Sequence, residues 1–349
     1  MMLSKNRRAL TLAATYVFAS LLLSGCEKEQ KTISKDFYAM DTYMSITCEG
    51  KNSQEAVETS INRIENLEKE LSVTIENSEV RRINNGEKVV ISEDVKYLLD
   101  RSVDIYDKTK GAFDIALYPL IERWGFRTGE LDIPDNSEIK DYLKVCKTSN
   151  LRYKKGDEEI DLAEGQGIDF GGIAKGYASD EVVKILRNKN IDSAYMSLGG
   201  NVYCMGLKSD NTKWRVGIIN PLKPDDTGSL LGVVSVKDKA VVTSGGYERY
   251  LEDEQTGKRY HHIIDPDTGY PADKDLLSVT IVCESGVMAD GLSTACYVLG
   301  FEKAVEYWKL YGKEDKFDII MMTEDEKIYV TKGVEDVFES ESEYSVIEH

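Results

Sequence analysis

Ala194-Tyr195-Met196-Ser197-Leu198-Gly199-Gly200-Asn201-Val202-Tyr203-Cys204-Met205-Gly206-Leu207 holds two short strand-like runs parted by turn residues. Four more runs follow at residues 214–219, 230–236, 240–243 and 247–251, again separated by turn residues. Many short strands at this spacing predict an antiparallel sheet. Helical patterns are intermixed with the strands instead of alternating strictly with them, so a purely parallel doubly wound sheet is not indicated. Upstream, residues 37–48 read as one strand, and residues 53–71 as an amphipathic helix with Ile61, Ile64, Leu67 and Leu71 on one face. Further helices are expected at 93–109, 172–188, 287–299 and 302–311, with closing strands near 317–322 and 327–331. Residues 127–137 carry Gly, Pro, Asp and Asn and predict an exposed loop. Beyond Gly333 the chain is acidic and reads as loose. The class is α+β, with helices packed on antiparallel or mixed sheets.

The N-terminus speaks to location. Lys5, Arg7 and Arg8 precede an apolar run over residues 9–23, which is shorter than the roughly 20 residues a spanning helix needs and reads as a signal-peptide core. It ends in Leu23-Ser24-Gly25-Cys26, which resembles a bacterial lipobox and implies cleavage before Cys26 and lipidation of its thiol. The expected organisation is a signal peptide at 1–25, a polar tether at 26–35, one domain at 36–332 and an acidic tail at 333–349. The protein is then held on the extracytoplasmic face of the bacterial membrane by a lipid, without spanning it.

A formal charge of −18 argues against nucleic acid as a partner. An acidic ligand would need a local cationic or metal-containing site. Apart from Cys26, the cysteines are Cys48, Cys146, Cys204, Cys283 and Cys296; they are an odd set without the close pairs of a zinc site. They read as buried apolar thiols.

Three segments carry chemistry. Ile168-Asp169-Phe170-Gly171-Gly172-Ile173-Ala174-Lys175-Gly176-Tyr177 places glycines between an extended stretch and a helix, where backbone can approach a ligand. It is not a Walker A loop, because Lys175 is followed by Gly176 and Tyr177, and the same glycines would also serve a plain strand-to-helix turn. Asp290 and Thr294 are four residues apart on an expected helix, so their oxygens share a face. That oxygen-only set suits Mg²⁺; the other reading makes Asp290 a helix cap. His261 and His262 are the histidines within the expected domain, and alternation on a strand sends them to opposite faces. His262 is then either a general base, with an ordinary pKa near 6.5, or a strand histidine satisfied by a neighbour.

Taken in order, several motifs together resemble the ApbE family. They are Met40-Asp41-Thr42, Gly111-Ala112-Phe113-Asp114, Trp124-Gly125-Phe126, the Asp169–Asp180 stretch, Ser197-Leu198-Gly199-Gly200-Asn201, Thr243-Ser244-Gly245-Gly246-Tyr247-Glu248-Arg249-Tyr250, His262 to Pro271, and Ala289 to Ala295. The resemblance implies a T-fold-like architecture and an FAD:protein FMN transferase. Such an enzyme moves FMN from FAD to a Ser or Thr hydroxyl of a partner flavoprotein and releases AMP, with FAD as substrate and Mg²⁺ as cofactor. Matched positions assign Met40, Ala112, Phe113, Asp114, Asp169, Lys175 and Ile264 to FAD, and Gly172 (through its carbonyl), Asp290 and Thr294 to Mg²⁺. They assign His262 to the base, and Lys175 also serves catalysis by neutralising charge on the pyrophosphate. The acceptor would carry a motif like Asp-x-x-Ser/Thr-Gly-Ala-Ser/Thr in an FMN-binding domain. This chain contains no Ser-Gly-Ala or Thr-Gly-Ala and is not itself an acceptor. Rival readings are a Mg²⁺-dependent FAD pyrophosphatase yielding FMN and AMP, and a non-catalytic FAD-binding lipoprotein. Asp41 replaces a glycine common in the family, Ser293 stands where some members carry a further acidic ligand, and Thr74 replaces an aromatic.

Overall fold

Nine strands pair side by side in a computed structural model that describes residues 32–226 and 228–349. Their order is β1 (Thr32–Ala39), β2 (Thr42–Glu49), β3 (Ser193–Leu198), β4 (Asn201–Met205), β7 (Lys239–Gly245), β10 (Leu276–Cys283), β11 (Phe317–Thr323), β12 (Ile328–Thr331) and β14 (Tyr344–Ile347). Neighbours run antiparallel except β12 and β14, which are parallel, so the sheet is mixed. A three-stranded sheet of β13 (Phe338–Glu339), β6 (Leu230–Val236) and β5 (Trp214–Ile219) and a hairpin of β8 (Tyr250–Glu252) and β9 (Arg259–His261) complete the strands.

The two-residue period of a strand sorts the core into layers. Along β4, Tyr203 and Met205 face the core shared with the helices, while Val202 and Cys204 face the core shared with the small sheet. On β11, Ile319 and Met321 divide from Ile320 and Met322 in the same way. The large sheet therefore lies between a helical layer and the three-stranded sheet, an α+β arrangement as expected. All five cysteines in the described residues are buried free thiols.

The expected helices at 53–71, 93–109, 172–188, 287–299 and 302–311 are present as Ser53–Leu71, Glu93–Lys108, Ala174–Asn188, Gly286–Leu299 and Phe301–Tyr311. β10 was not anticipated. It is buried between β7 and β11 with both faces covered, so its Leu-Leu-Ser-Val-Thr-Ile-Val-Cys reads as a nearly continuous apolar run without alternation.

Three expectations need correction at the ends. Residues 37–48 are not one strand: β1 and β2 form a hairpin that turns at Met40 and Asp41, with Ala39 opposite Thr42. β1 begins at Thr32, inside the stretch read as tether. The segment after Gly333 is not loose, because Phe338 pairs with Val234 of β6, and β14 adds to the large sheet with Tyr344 and Val346 against the second core. An acidic composition hid four alternating residues. The signal peptide, Cys26 and residues 27–31 lie outside the described residues. Among the described residues no helix is long and apolar enough to cross a membrane.

Candidate active site

Met40, Ala112, Phe113, Asp114, Asp169, Gly172, Lys175, His262, Ile264 and Thr294, drawn from distant parts of the chain, line one cleft of about 490 Å³. That volume falls within the range of small-molecule sites. Thr74 and Ile75 lie on the same wall. Of the residues singled out in the sequence, Asp290 stands behind the wall instead of on it, 5% exposed.

The β1–β2 turn supplies one rim. Met40 and Asp41 both adopt left-handed backbone, with φ 49° and 57°, as a two-residue hairpin turn of the primed type requires. Aspartate tolerates this conformation and methionine rarely does. The Met40 N–H is held by Glu68 Oε1 at 2.9 Å.

Asp114 is fixed by one oxygen. Its Oδ1 accepts from the N–H groups of Ala116 at 2.9 Å and Thr148 at 3.0 Å and from the Thr148 hydroxyl at 2.7 Å. Its Oδ2 is buried with no partner among the described residues. Burial pushes this carboxyl up to about 6, against the pull of the Thr148 and Ala116 donors. A buried oxygen without a partner is costly, so a ligand donor at the cleft wall would relieve it. Asp169 Oδ1 accepts from the Gly171 N–H at 2.9 Å, and burial raises this carboxyl as well.

The two histidines divide as alternation suggested, although His262 lies just beyond the end of β9. His261 is structural: Nε2 meets the Ala272 carbonyl at 2.8 Å, Nδ1 accepts from the Ile263 N–H at 3.3 Å, and the ring packs edge-on to Tyr297. His262 faces the cleft and is clamped by one residue, Arg249. The Arg249 carbonyl takes both the backbone N–H of His262 at 3.2 Å and its Nδ1 at 3.0 Å. Because a carbonyl only accepts, Nδ1 carries the proton and Nε2 keeps its lone pair. Burial, reinforced by the positive charges of Arg249 and Lys175, lowers the imidazole to about 4. Arg249 also donates through Nη2 to the Phe126 carbonyl at 2.6 Å, tying the Trp124-Gly125-Phe126 segment to the same clamp. The Tyr247–Tyr250 motif was visible in the sequence, but a role played by a main-chain carbonyl leaves no side-chain signature.

Two helices build the cationic and oxygen-rich wall by capping each other. Asp290 Oδ2, from Gly286–Leu299, accepts from the Gly176 N–H at 2.9 Å in the first turn of Ala174–Asn188. In return Asp180 accepts from the N–H groups of Gly286 at 2.6 Å and Val287 at 3.1 Å and from the Ser285 hydroxyl at 3.0 Å. Each carboxylate satisfies N–H groups that a helix start leaves unpaired. The cap reading of Asp290 is met in altered form, since it caps the neighbouring helix and not its own, which starts at Ser285. Gly176 allows the crossing, since a Cβ there would lie 2.2 Å from the Gly286 carbonyl oxygen. Lys175 projects one residue earlier and reaches the Gly171 carbonyl at 3.4 Å.

The expected Mg²⁺ donors fit such an ion in kind. Thr294 Oγ1 lies 3.9 Å from where a Cβ on Gly172 would stand, so hydroxyl and glycine backbone are neighbours. Asp290 uses only Oδ2 in capping. Ser293 is occupied otherwise, bonded to Ser244 at 2.8 Å and to the Asp290 carbonyl at 2.8 Å in the core. Among the described residues no three His, Cys, Asp or Glu gather into a group that could hold a metal. One carboxylate with neutral oxygens suits Mg²⁺, which leaves places for water and phosphate.

Residues 40–319 match the model of the ApbE family. The chain is 34% identical over 298 residues to the FAD:protein FMN transferase of Treponema pallidum, covering 80% of each chain. It is 33% identical to that of Klebsiella pneumoniae, covering 78% of this chain and 82% of the relative. The crystal structure of the ApbE protein of Thermotoga maritima superposes with a TM-score of 0.79 at 30% identity, covering 87% of this chain and 98% of that one.

Proposed function

The chain belongs to the ApbE family, and from that membership we propose that it is an FAD:protein FMN transferase, moving FMN from FAD to a Ser or Thr hydroxyl of a partner flavoprotein. The hydroxyl oxygen bonds to the phosphorus on the FMN side of the pyrophosphate. The bond from that phosphorus to the bridging oxygen breaks, and AMP leaves with the bridging oxygen. The observation that carries the reading is His262: its Nδ1–H is committed to the Arg249 carbonyl, so a neutral Nε2 is available in the cleft to take the hydroxyl proton. Lys175 offsets charge on the pyrophosphate, and Met40, Ala112 to Asp114, Asp169 and Ile264 hold FAD. Asp290, Thr294 and the Gly172 carbonyl would hold Mg²⁺, which when bound supplies charge neutralisation at the phosphates. We place the protein on the extracytoplasmic membrane face through lipid at Cys26.

The test is to incubate the protein with FAD, Mg²⁺ and an acceptor bearing the Ser/Thr-Gly-Ala-Ser/Thr motif, following acceptor mass and AMP. A mass gain of FMN, absent in the acceptor's Thr-to-Ala variant, supports the transferase. AMP and FMN without labelling would make it a pyrophosphatase, and intact bound FAD a binding protein.

Two predictions follow the site chemistry. Because burial holds His262 at about 4, kcat/KM should be insensitive to its titration between pH 6 and 8 and fall only toward pH 4. The sign for stability is the same. The unfolded chain takes up this proton near 6.5 and the fold only near 4, so the contribution is complete above 6.5 and lost as pH falls through that window. An acid limb at 6.5 in the pH–rate profile would contradict the assignment, whereas one near 6 that vanishes in Asp114→Asn would belong to Asp114. Second, EDTA should abolish transfer. Asp290→Asn, which keeps an acceptor for the Gly176 N–H, should raise the Mg²⁺ needed for half-maximal rate about 10–100-fold with little change in Tm. Unchanged Mg²⁺ dependence would remove Asp290 from the metal site.

A further inference from the structure

The rim of the cleft carries an aromatic pair that the chemistry leaves unused. Tyr38 and Tyr43 sit directly opposite each other across the β1–β2 hairpin, their rings edge-to-face at 5.4 Å, yet they are 61% and 82% exposed. Between them in sequence lie Met40, Asp41 and Thr42, which line the cleft. The pair is therefore joined to the active site through one residue, Ala39, on one side and none on the other. β1 is also the outer strand of the nine-stranded sheet, so the hairpin is presented at an edge.

We propose that Tyr38 and Tyr43 form the docking platform for the acceptor flavoprotein; the inference rests on the transferase reading above. A protein hydroxyl can attack only from about 3–3.5 Å, so the acceptor's surface must press against the rim around its Ser or Thr. A stable protein contact covers about 800 Å² per partner, more than a cleft that also holds FAD can offer, and the remainder must come from outside the rim. The acceptor is thus the occupant that the site itself demands at this position. Tyrosine supplies large apolar area with little rotamer entropy and is enriched among residues that dominate interface energy. Other strongly exposed apolar side chains, Val90 and Leu310 at 72%, are not adjacent in the chain to residues that line this cleft, as Tyr43 is.

The experiment uses the full chain in detergent, with the Tyr38→Ser/Tyr43→Ser double variant assayed against an acceptor protein. The acceptor KM should rise about tenfold, while kcat at saturating acceptor and FAD affinity by fluorescence quenching stay at parental values. Tyr43→Ser alone, at a side chain too exposed to support the core, should show part of the rise and guards against misfolding of the double variant. Val90→Ser/Leu310→Ser should leave the acceptor KM unchanged. If the parent labels the acceptor and both tyrosine variants keep the parental KM, the docking inference fails. If the parent labels no acceptor at all, the transferase reading has failed first. A variant that keeps the parental acceptor KM but loses binding to anionic lipid vesicles would make the pair a membrane contact and overturn the proposal.

Discussion

Replacing His262 by alanine is expected to slow FMN transfer by about 10²–10⁴-fold while leaving FAD affinity at the parental level. The two effects separate because His262 is held from behind. Its backbone N–H and Nδ1 both rest on the Arg249 carbonyl, and removing the ring leaves the β8–β9 hairpin pairing and the Arg249 to Phe126 bond in place. What is lost is one lone pair at the cleft. The measurement is single-turnover labelling of the acceptor beside an FAD titration. Transfer at the parental rate would take His262 out of the mechanism, and a matched loss of FAD binding would make it a binding residue instead. His262→Asn retains a donor for the Arg249 carbonyl but not a base, so it should be as slow as alanine.

Gly176→Ala should destabilise the fold severely although it adds one methyl within a helix. Alanine normally favours a helix over glycine by roughly 0.5–1 kcal/mol, and here the sign should reverse. The added methyl would lie 2.2 Å from the Gly286 carbonyl oxygen and 2.7 Å from Asp290 Cβ, so relief requires the two helices to part. Overpacking against backbone costs about 3 kcal/mol, the upper end of what inserted methylenes usually do. Parting would also stretch the bond from the Gly176 N–H to Asp290 Oδ2 and shift Asp290 against Lys175, so a higher Mg²⁺ requirement should accompany the lower urea midpoint. A variant as stable as the parent would show that the helices separate freely and that the mutual capping is incidental.

Much of the site was legible because its residues advertise themselves. Glycines before a helix, a carboxylate and hydroxyl four residues apart, and paired histidines are local patterns, and Lys175, Gly172, Thr294 and His262 do meet in one cleft. The rest depends on atoms that composition does not distinguish. Thr148 carries no local signal of its role, although its N–H and hydroxyl fix Asp114 across 34 residues of sequence. Arg249 acts on His262 through a carbonyl that every residue possesses. Gly176 looked like part of a ligand loop, and its position serves a helix crossing.

The sequence by itself determined the class of fold, the helices from residue 53 to 71 and from 286 to 311, the strands β3 to β7, β11 and β12, and the family, since periodicity and local motifs are written in neighbouring residues. Tertiary structure alone decided that β10 lies inside the sheet between β7 and β11, that the acidic C-terminal segment closes the sheet at β14, and that Met40 and Asp41 turn a hairpin at the cleft. It also decided which histidine is satisfied and which retains a free nitrogen. The physical reason is common to all four: burial on two faces, a sheet edge awaiting a partner and the pairing of a polar atom are properties of what lies across space, and contacts between residues far apart in the chain leave no period in the sequence.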